Sequence, residues 1–138
     1  MARTASAAIR SQSPVIPTIL LVEGNALTRM ALAAYLRDCG YVVIETDSPA
    51  EARRLLDAGT KVDVAFIDLE ATGEFDGFGL AHWIRKTLPG LKVLLTSGVR
   101  RTAEMAGDLC EEGPHLAKPH PHHELEMRIR RLLARPKR

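Results

Sequence analysis

Along the chain, short and nearly continuous apolar runs alternate with longer segments whose apolar residues recur every three or four positions. The first run, Thr18-Ile-Leu-Leu-Val-Glu23, predicts a buried strand. Thr28, Ala31, Leu32, Tyr35, Leu36 and Cys39 then fall on one stripe at helical spacing, closed by Gly40, which places Cys39 in the core. Tyr41-Val-Val-Ile-Glu-Thr46 reads as a second strand. Ser48 is a good helix N-cap, with Pro49 in the first helical position, Glu51 at the capping-box position and Gly59 as the stop. Val62-Asp-Val-Ala-Phe-Ile-Asp68 is a third strand. A loop with Gly73 and Gly77 leads into a helix built on Leu80, Ile84 and Leu88, stopped by Pro89-Gly90; one of His82 and Trp83 must face solvent on it. Leu91-Lys-Val-Leu-Leu-Thr96 is a fourth strand. A weaker helix over 101–111 and Gly113-Pro114 precede a short strand at His115–Lys118. The last helix starts near His122 and carries Leu125, Ile129, Leu132 and Leu133.

Strict alternation of strand and helix, with strands apolar on both faces, predicts an α/β fold whose parallel sheet is covered by helices on each side. Right-handed crossovers leave few arrangements. Five strands over about 120 residues suit the doubly wound, flavodoxin-like order 2-1-3-4-5, which puts a functional site beyond the carboxyl ends of the strands, near the switch point between strands 1 and 3. The expected organisation is an arm over 1–17 without periodicity, one domain over 18–134, and a basic tail over 135–138.

Charge sharpens this division. The chain has 138 residues with 19 Lys+Arg and 17 Asp+Glu, a net charge of +2. Arg3 and Arg10 stand before residue 18 and six bases lie after residue 127, with no acid in either stretch; the body between is therefore acidic. A basic helix end is ordinarily solvated, so nucleic acid is not the expected partner, and six aromatic residues are few for stacking bases. No apolar run approaches membrane-spanning length, and none before Pro14 resembles a signal peptide. Two cysteines, Cys39 and Cys110, are too few for a disulfide framework. A cytoplasmic protein without a membrane partner is expected.

The predicted strand ends carry the chemistry. Strand 1 ends in Glu23, strand 3 in Asp68, strand 4 in Thr96-Ser97 and strand 5 in Lys118-Pro119. Each residue alone has an ordinary explanation as a cap, a strand end or a solvated charge. Together, on one edge of the sheet, they form a candidate site. Clustered carboxylates are stabilised by a hard cation such as Mg²⁺. A carboxylate beside that cation can act as a nucleophile toward a phosphoryl group, while lysine and metal neutralise the transferring oxygens. A hydroxyl nearby can hydrogen-bond the phosphoryl group once attached.

These features resemble the receiver domain of two-component response regulators. The resemblance spans about residues 18–134 and rests on Ile-Leu-Leu-Val-Glu at 19–23, Val-Ala-Phe-Ile-Asp at 64–68, Asp76-Gly77, Leu-Leu-Thr-Ser-Gly at 94–98 and Leu-Ala-Lys-Pro at 116–119. It implies Asp68 as phosphoacceptor, Glu23 at the first acidic metal position, Thr96 as the switch hydroxyl and Lys118 as the invariant lysine, before a cis peptide to Pro119. It implies that a histidine kinase or a histidine phosphotransfer protein supplies the phosphoryl group. The receiver would signal by binding a downstream protein target without an output domain, would not be an enzyme acting on a separate substrate, and leaves a homodimer open.

The chain also departs from the family. Where a second metal-ligating Asp is usual it has Gly24, which should weaken Mg²⁺. Glu70, two positions after Asp68, is either a compensating metal carboxylate or a solvated loop acid. Ala71-Thr72 replaces the usual Met-Pro, and His115 stands at the switch aromatic. His120, His122 and His123 beside His115 lack the companion ligands of a structural zinc site. A pseudo-receiver, binding partners without phosphorylation because of Gly24, is the second reading. A flavin- or nucleotide-binding protein is the third, disfavoured because Glu23-Gly24-Asn25 is no glycine-rich phosphate cradle.

Overall fold

The computed structural model describes residues 16–70, 76–97, 116–117 and 121–135. In chain order these form β1 (Thr18–Val22), α1 (Ala26–Asp38), β2 (Val42–Thr46), α2 (Pro49–Asp57), β3 (Val64–Asp68), α3 (Gly77–Thr87), β4 (Lys92–Ser97), β5 (Leu116–Ala117) and α4 (His122–Ala134). All strand pairs are parallel and the sheet order is β2-β1-β3-β4-β5, the order expected from the alternation. The expected helix over 101–111 and Cys110 lie outside the described residues, as does most of the expected arm.

Period-two alternation divides the core into two layers. Leu20, Val22, Ala65, Ile67, Val93 and Leu95 face one way and pack with Ala52 and Leu56 of α2 and Leu80, Ala81 and Ile84 of α3. Ile19, Leu21, Val64, Phe66 and Leu94 face the other, against Leu32, Ala33 and Leu36 of α1 and Leu125, Ile129 and Leu132 of α4. Each large side chain buried this way contributes about 1.5–3 kcal/mol. The reading of His82 and Trp83 holds: His82 is exposed, while Trp83 is half-buried with the Arg53 guanidinium 4.7 Å from its ring centroid.

Helix ends follow local chemistry. Ser48 Oγ accepts from the Glu51 N–H at 3.2 Å, and Asp76 Oδ1 from the Gly79 N–H at 2.8 Å. Gly40 and Gly59, with φ of 103° and 87°, close α1 and α2 in the left-handed conformation. The expected face of α1 needs correction. Thr28, Ala31 and Cys39 are exposed, and the buried residues are Leu32, Ala33 and Leu36. Apolar Leu27 and Met30 also lie on this helix and are exposed. With apolar residues all round, periodicity could not choose a face, and packing on the sheet chose it. α1 begins at Ala26, where Asn25 caps it by accepting from the Thr28 N–H at 2.9 Å.

The base of the sheet is tied by a reciprocal pair. Asp63 Oδ2 accepts from the Thr18 N–H, and the Asp63 N–H donates to the Thr18 carbonyl, both at 2.8 Å. At one side of the sheet Glu126, buried on α4, accepts from the Tyr41 hydroxyl at 2.7 Å and from Arg130 Nη2 at 2.9 Å. That bond joins α4 to the start of β2 and satisfies a carboxylate that would otherwise be costly to bury.

Candidate functional site

The same alternation decides which strand-end side chains can meet. Ile19 and Leu21 face α1 and α4, so Glu23 continues their row; its N–H donates to the Thr46 carbonyl at 3.1 Å and prolongs the ladder one residue past β1. Asp68 likewise continues Val64 and Phe66, and Thr96 continues Leu94. Asp68 stands opposite Thr96 in the register of β3 and β4. One step beyond the pair Val22 and Ile67, Glu23 comes beside Asp68. Neighbouring strands lie about 4.8 Å apart, so the three side chains share one patch at the carboxyl edge of the sheet. Lys118, Pro119, His115, Ala71 and Thr72 lie outside the described residues.

Both carboxylates are almost withdrawn from water, Glu23 being 3% and Asp68 5% exposed. Each is oriented by its own turn. Glu23 Oε2 accepts from the Asn25 N–H at 3.0 Å, and Asp68 Oδ1 from the Glu70 N–H at 2.9 Å. Two such carboxylates on neighbouring strands repel one another and suit a hard divalent cation, since Mg²⁺ commonly uses one or two protein carboxylates and keeps several waters. Glu70 contributes its N–H to Asp68, while its side chain is exposed. Among the described residues, no group of three or more His, Cys, Asp or Glu side chains is placed to hold a metal ion.

Thr96 is the unusual member. It is 0% exposed, and its Oγ1 has no hydrogen-bond partner among the described residues. Thr46, buried at the end of β2, instead donates from Oγ1 to the Leu21 carbonyl at 2.8 Å. An unsatisfied buried hydroxyl costs about 1–3 kcal/mol, so each one calls for a physical account.

Two glycines border the patch for different reasons. Gly24 has no left-handed backbone, and among the described residues a Cβ there would meet only the Asp47 carbonyl oxygen at an ordinary 3.7 Å. Glycine at this position is therefore not required by the fold. Gly77 is required: a Cβ would lie 2.6 Å from the Asp68 carbonyl oxygen and 2.8 Å from Leu69 Cα. The start of α3 thus rests directly on the backbone that carries Asp68. Sequence reasoning missed Arg29, whose Nη1 donates to the Glu23 carbonyl at 3.0 Å. The available signal was a cation near the positive end of a helix, where the macrodipole disfavours it.

A family model described as the response regulator receiver domain matches residues 19–130. The chain belongs to that family. A sensor kinase, CckA of Brucella abortus (strain 2308), is 36% identical over 87 residues; the match takes in 62% of this chain and 9% of that much longer protein. The receiver of this chain therefore corresponds to a small fraction of that relative. Among solved structures, a response regulator receiver protein from Sinorhizobium medicae is 26% identical with a TM-score of 0.76, over 86% of this chain and 94% of the other. The response regulator TrrA from Thermotoga maritima, in complex with Mg(2+)-BeF, shares the fold with a TM-score of 0.76 at 23% identity, over 85% of this chain and 99% of that one. The receiver's sheet order agrees with this membership. No helix among its described residues is long and apolar enough to cross a membrane.

Proposed function

We propose that this receiver accepts a phosphoryl group on Asp68 within a two-component phosphorelay. A carboxylate oxygen of Asp68 attacks the phosphorus of a phosphohistidine on a histidine kinase or histidine phosphotransfer protein. The P–N bond breaks, the imidazole leaves and takes up a proton, and an acyl phosphate forms on Asp68. Attack of water on the phosphorus later returns the carboxylate and inorganic phosphate. The observation that carries this reading is the buried Thr96 Oγ1, without a partner among the described residues and in register with Asp68. A phosphoryl oxygen on Asp68 would give that hydroxyl an acceptor.

Glu23 and Asp68 are the residues that would hold Mg²⁺, which neutralises charge on the transferring oxygens when bound. Lys118 is assigned the same electrostatic role by the family's sequence pattern. The attached phosphoryl group draws Thr96 toward it, and the change at the end of β4 is the signal a downstream protein reads.

The test is incubation with a small acyl phosphate and Mg²⁺ followed by intact mass measurement. One phosphoryl adduct is expected in the wild type and none in Asp68→Asn. An adduct that survives Asp68→Asn, or a wild type left unmodified by both the small donor and its kinase, overturns the proposal. The pseudo-receiver reading has one observation in its favour: Gly24 brings no carboxylate, and no three-ligand group forms among the described residues. An unmodified wild type that gains an adduct in Gly24→Asp would establish that reading instead.

A further inference from the structure

Arg29 sits in the first turns of α1, where neighbouring side chains are exposed, yet its own side chain is only 19% exposed. It is turned inward and spans two elements. Nη1 donates to the Glu23 carbonyl at 3.0 Å, and Nε lies 3.4 Å from Glu45 Oε1 on β2. Glu45 is itself held in place, because Arg37 Nη1 donates to its Oε2 at 3.0 Å while Arg37 Nη2 donates to the Val43 carbonyl at 2.9 Å. The chain Val43–Arg37–Glu45–Arg29 therefore ends on the main chain of Glu23, the strand-end neighbour of Asp68.

We infer that Arg29 is a positioning residue for Glu23. It braces the turn between β1 and α1 from outside the site, so that the Glu23 carboxylate is presented beside Asp68 before any cation arrives. Two details support a brace rather than a chance surface contact. The turn contains Gly24, whose backbone freedom must be restrained by something other than its own side chain. From within the turn, the Asn25 N–H donates to Glu23 Oε2. The charge is also balanced: the Glu45 carboxylate offsets the guanidinium, so the brace adds little positive charge next to a site that must attract a cation. Lysine could not replace it, since a single ammonium does not offer the fork that reaches a carbonyl and a carboxylate at once.

The inference deepens the proposed phosphoacceptor site and rests on that reading, but can be judged separately from it. Positioning and electrostatics predict opposite signs. Removing a cation near two carboxylates should tighten Mg²⁺ if charge alone matters, whereas loss of a brace should loosen it.

The experiment compares wild type, Arg29→Ala and Arg29→Lys, with Glu45→Gln as the variant that keeps Arg29 and frees its anchor. Hydrogen exchange of the Asn25 amide is followed by NMR in metal-free protein, and Mg²⁺ affinity by calorimetry. In both Arg29 variants the Asn25 amide should exchange about tenfold faster, with core amides of β3 unchanged. Mg²⁺ affinity should fall about tenfold, the usual loss when a group that orients a metal ligand is removed. Glu45→Gln should fall in the same direction by less. Asn25 exchange at the wild-type rate in folded Arg29→Lys, or Mg²⁺ bound as tightly as in the wild type or more so, overturns the inference. Should Arg29→Ala fail to fold, Arg29→Lys and Glu45→Gln carry the same two measurements. Should the wild type itself take no Mg²⁺, the metal reading of the site falls, and Asn25 exchange alone decides the brace.

Discussion

Replacing Thr96 by Val separates what this residue does for the resting fold from what it does for the phosphorylated one. The two side chains have nearly the same shape and the same β-branched stiffness, so strand preference and packing volume stay almost constant. What changes is the hydroxyl, which is fully buried and has no hydrogen-bond partner among the described residues. Leaving such a group unsatisfied costs about 1–3 kcal/mol, and the methyl that replaces it has no such penalty. Thr96→Val should therefore be more stable than the wild type by about 1–3 kcal/mol in unphosphorylated, metal-free protein. With a urea slope of about 1–3 kcal/mol/M, the unfolding midpoint should rise by about 1 M. Thr96→Ser keeps the hydroxyl and loses a buried methyl, and should be less stable by about 1 kcal/mol. The functional order is the reverse. Phosphorylation of Asp68 should still yield an adduct by mass in Thr96→Val, because the nucleophile is intact. The accompanying change in amide spectrum at the end of β4 should survive in Thr96→Ser and vanish in Thr96→Val. A Thr96→Val protein less stable than the wild type by more than about 0.5 kcal/mol would refute the reasoning, since the hydroxyl would then be satisfied. An undiminished spectral response in Thr96→Val would refute the second half.

Gly24→Asp should bind Mg²⁺ about tenfold more tightly, roughly 1.4 kcal/mol, because the position accepts a side chain without clash and gains a charged ligand; if Glu70 already compensates, calorimetry will show little gain there and a clear loss in Glu70→Gln. Gly77→Ala should cost at least about 2 kcal/mol in urea unfolding and slow adduct formation, because its Cβ would drive into backbone at Asp68 and Leu69; unchanged stability would contradict the packing of α3. The Tyr41 hydroxyl is pushed up to about 12 by burial first and then by its bond to the Glu126 carboxylate. A raised folded-state value means stability that is complete below the ordinary tyrosine range near pH 10 and lost as pH climbs toward 12, about 1 kcal/mol once solvent screening is allowed for. The loss should be absent in Tyr41→Phe when unfolding is compared at pH 9 and pH 11.5.

How much of this was legible in the chain can be judged residue by residue. Alternating apolar runs and helical stripes suffice for the parallel sheet, because a strand buried on both faces and a crossover helix leave different periods in the sequence. The cap at Ser48 was legible for the same local reason: it acts on backbone three residues away. Glu23, Asp68 and Thr96 could be named as strand ends, and since each continues an inward-facing row, their shared face follows from counting by two.

Tertiary structure decided the rest, because hydropathy reports that a position is buried and not what buries it. α1 carries apolar residues on every side, so only docking onto Ile19, Leu21 and Phe66 selected Leu32, Ala33 and Leu36 and left Cys39 outside. Glu126 reads as a solvated acid on a basic helix, yet it is buried against Tyr41, a residue 85 positions away. Arg29 reads as a surface cation, yet it joins β2 to the turn that holds Glu23. Gly24 could be seen to lack a carboxylate, but that the backbone there would tolerate one depends on its φ and on the distance to Asp47. Each of these depends on partners brought together by strand order and register. Such contacts are long-range, and local pattern carries no information about which distant group will satisfy a buried charge or hydroxyl.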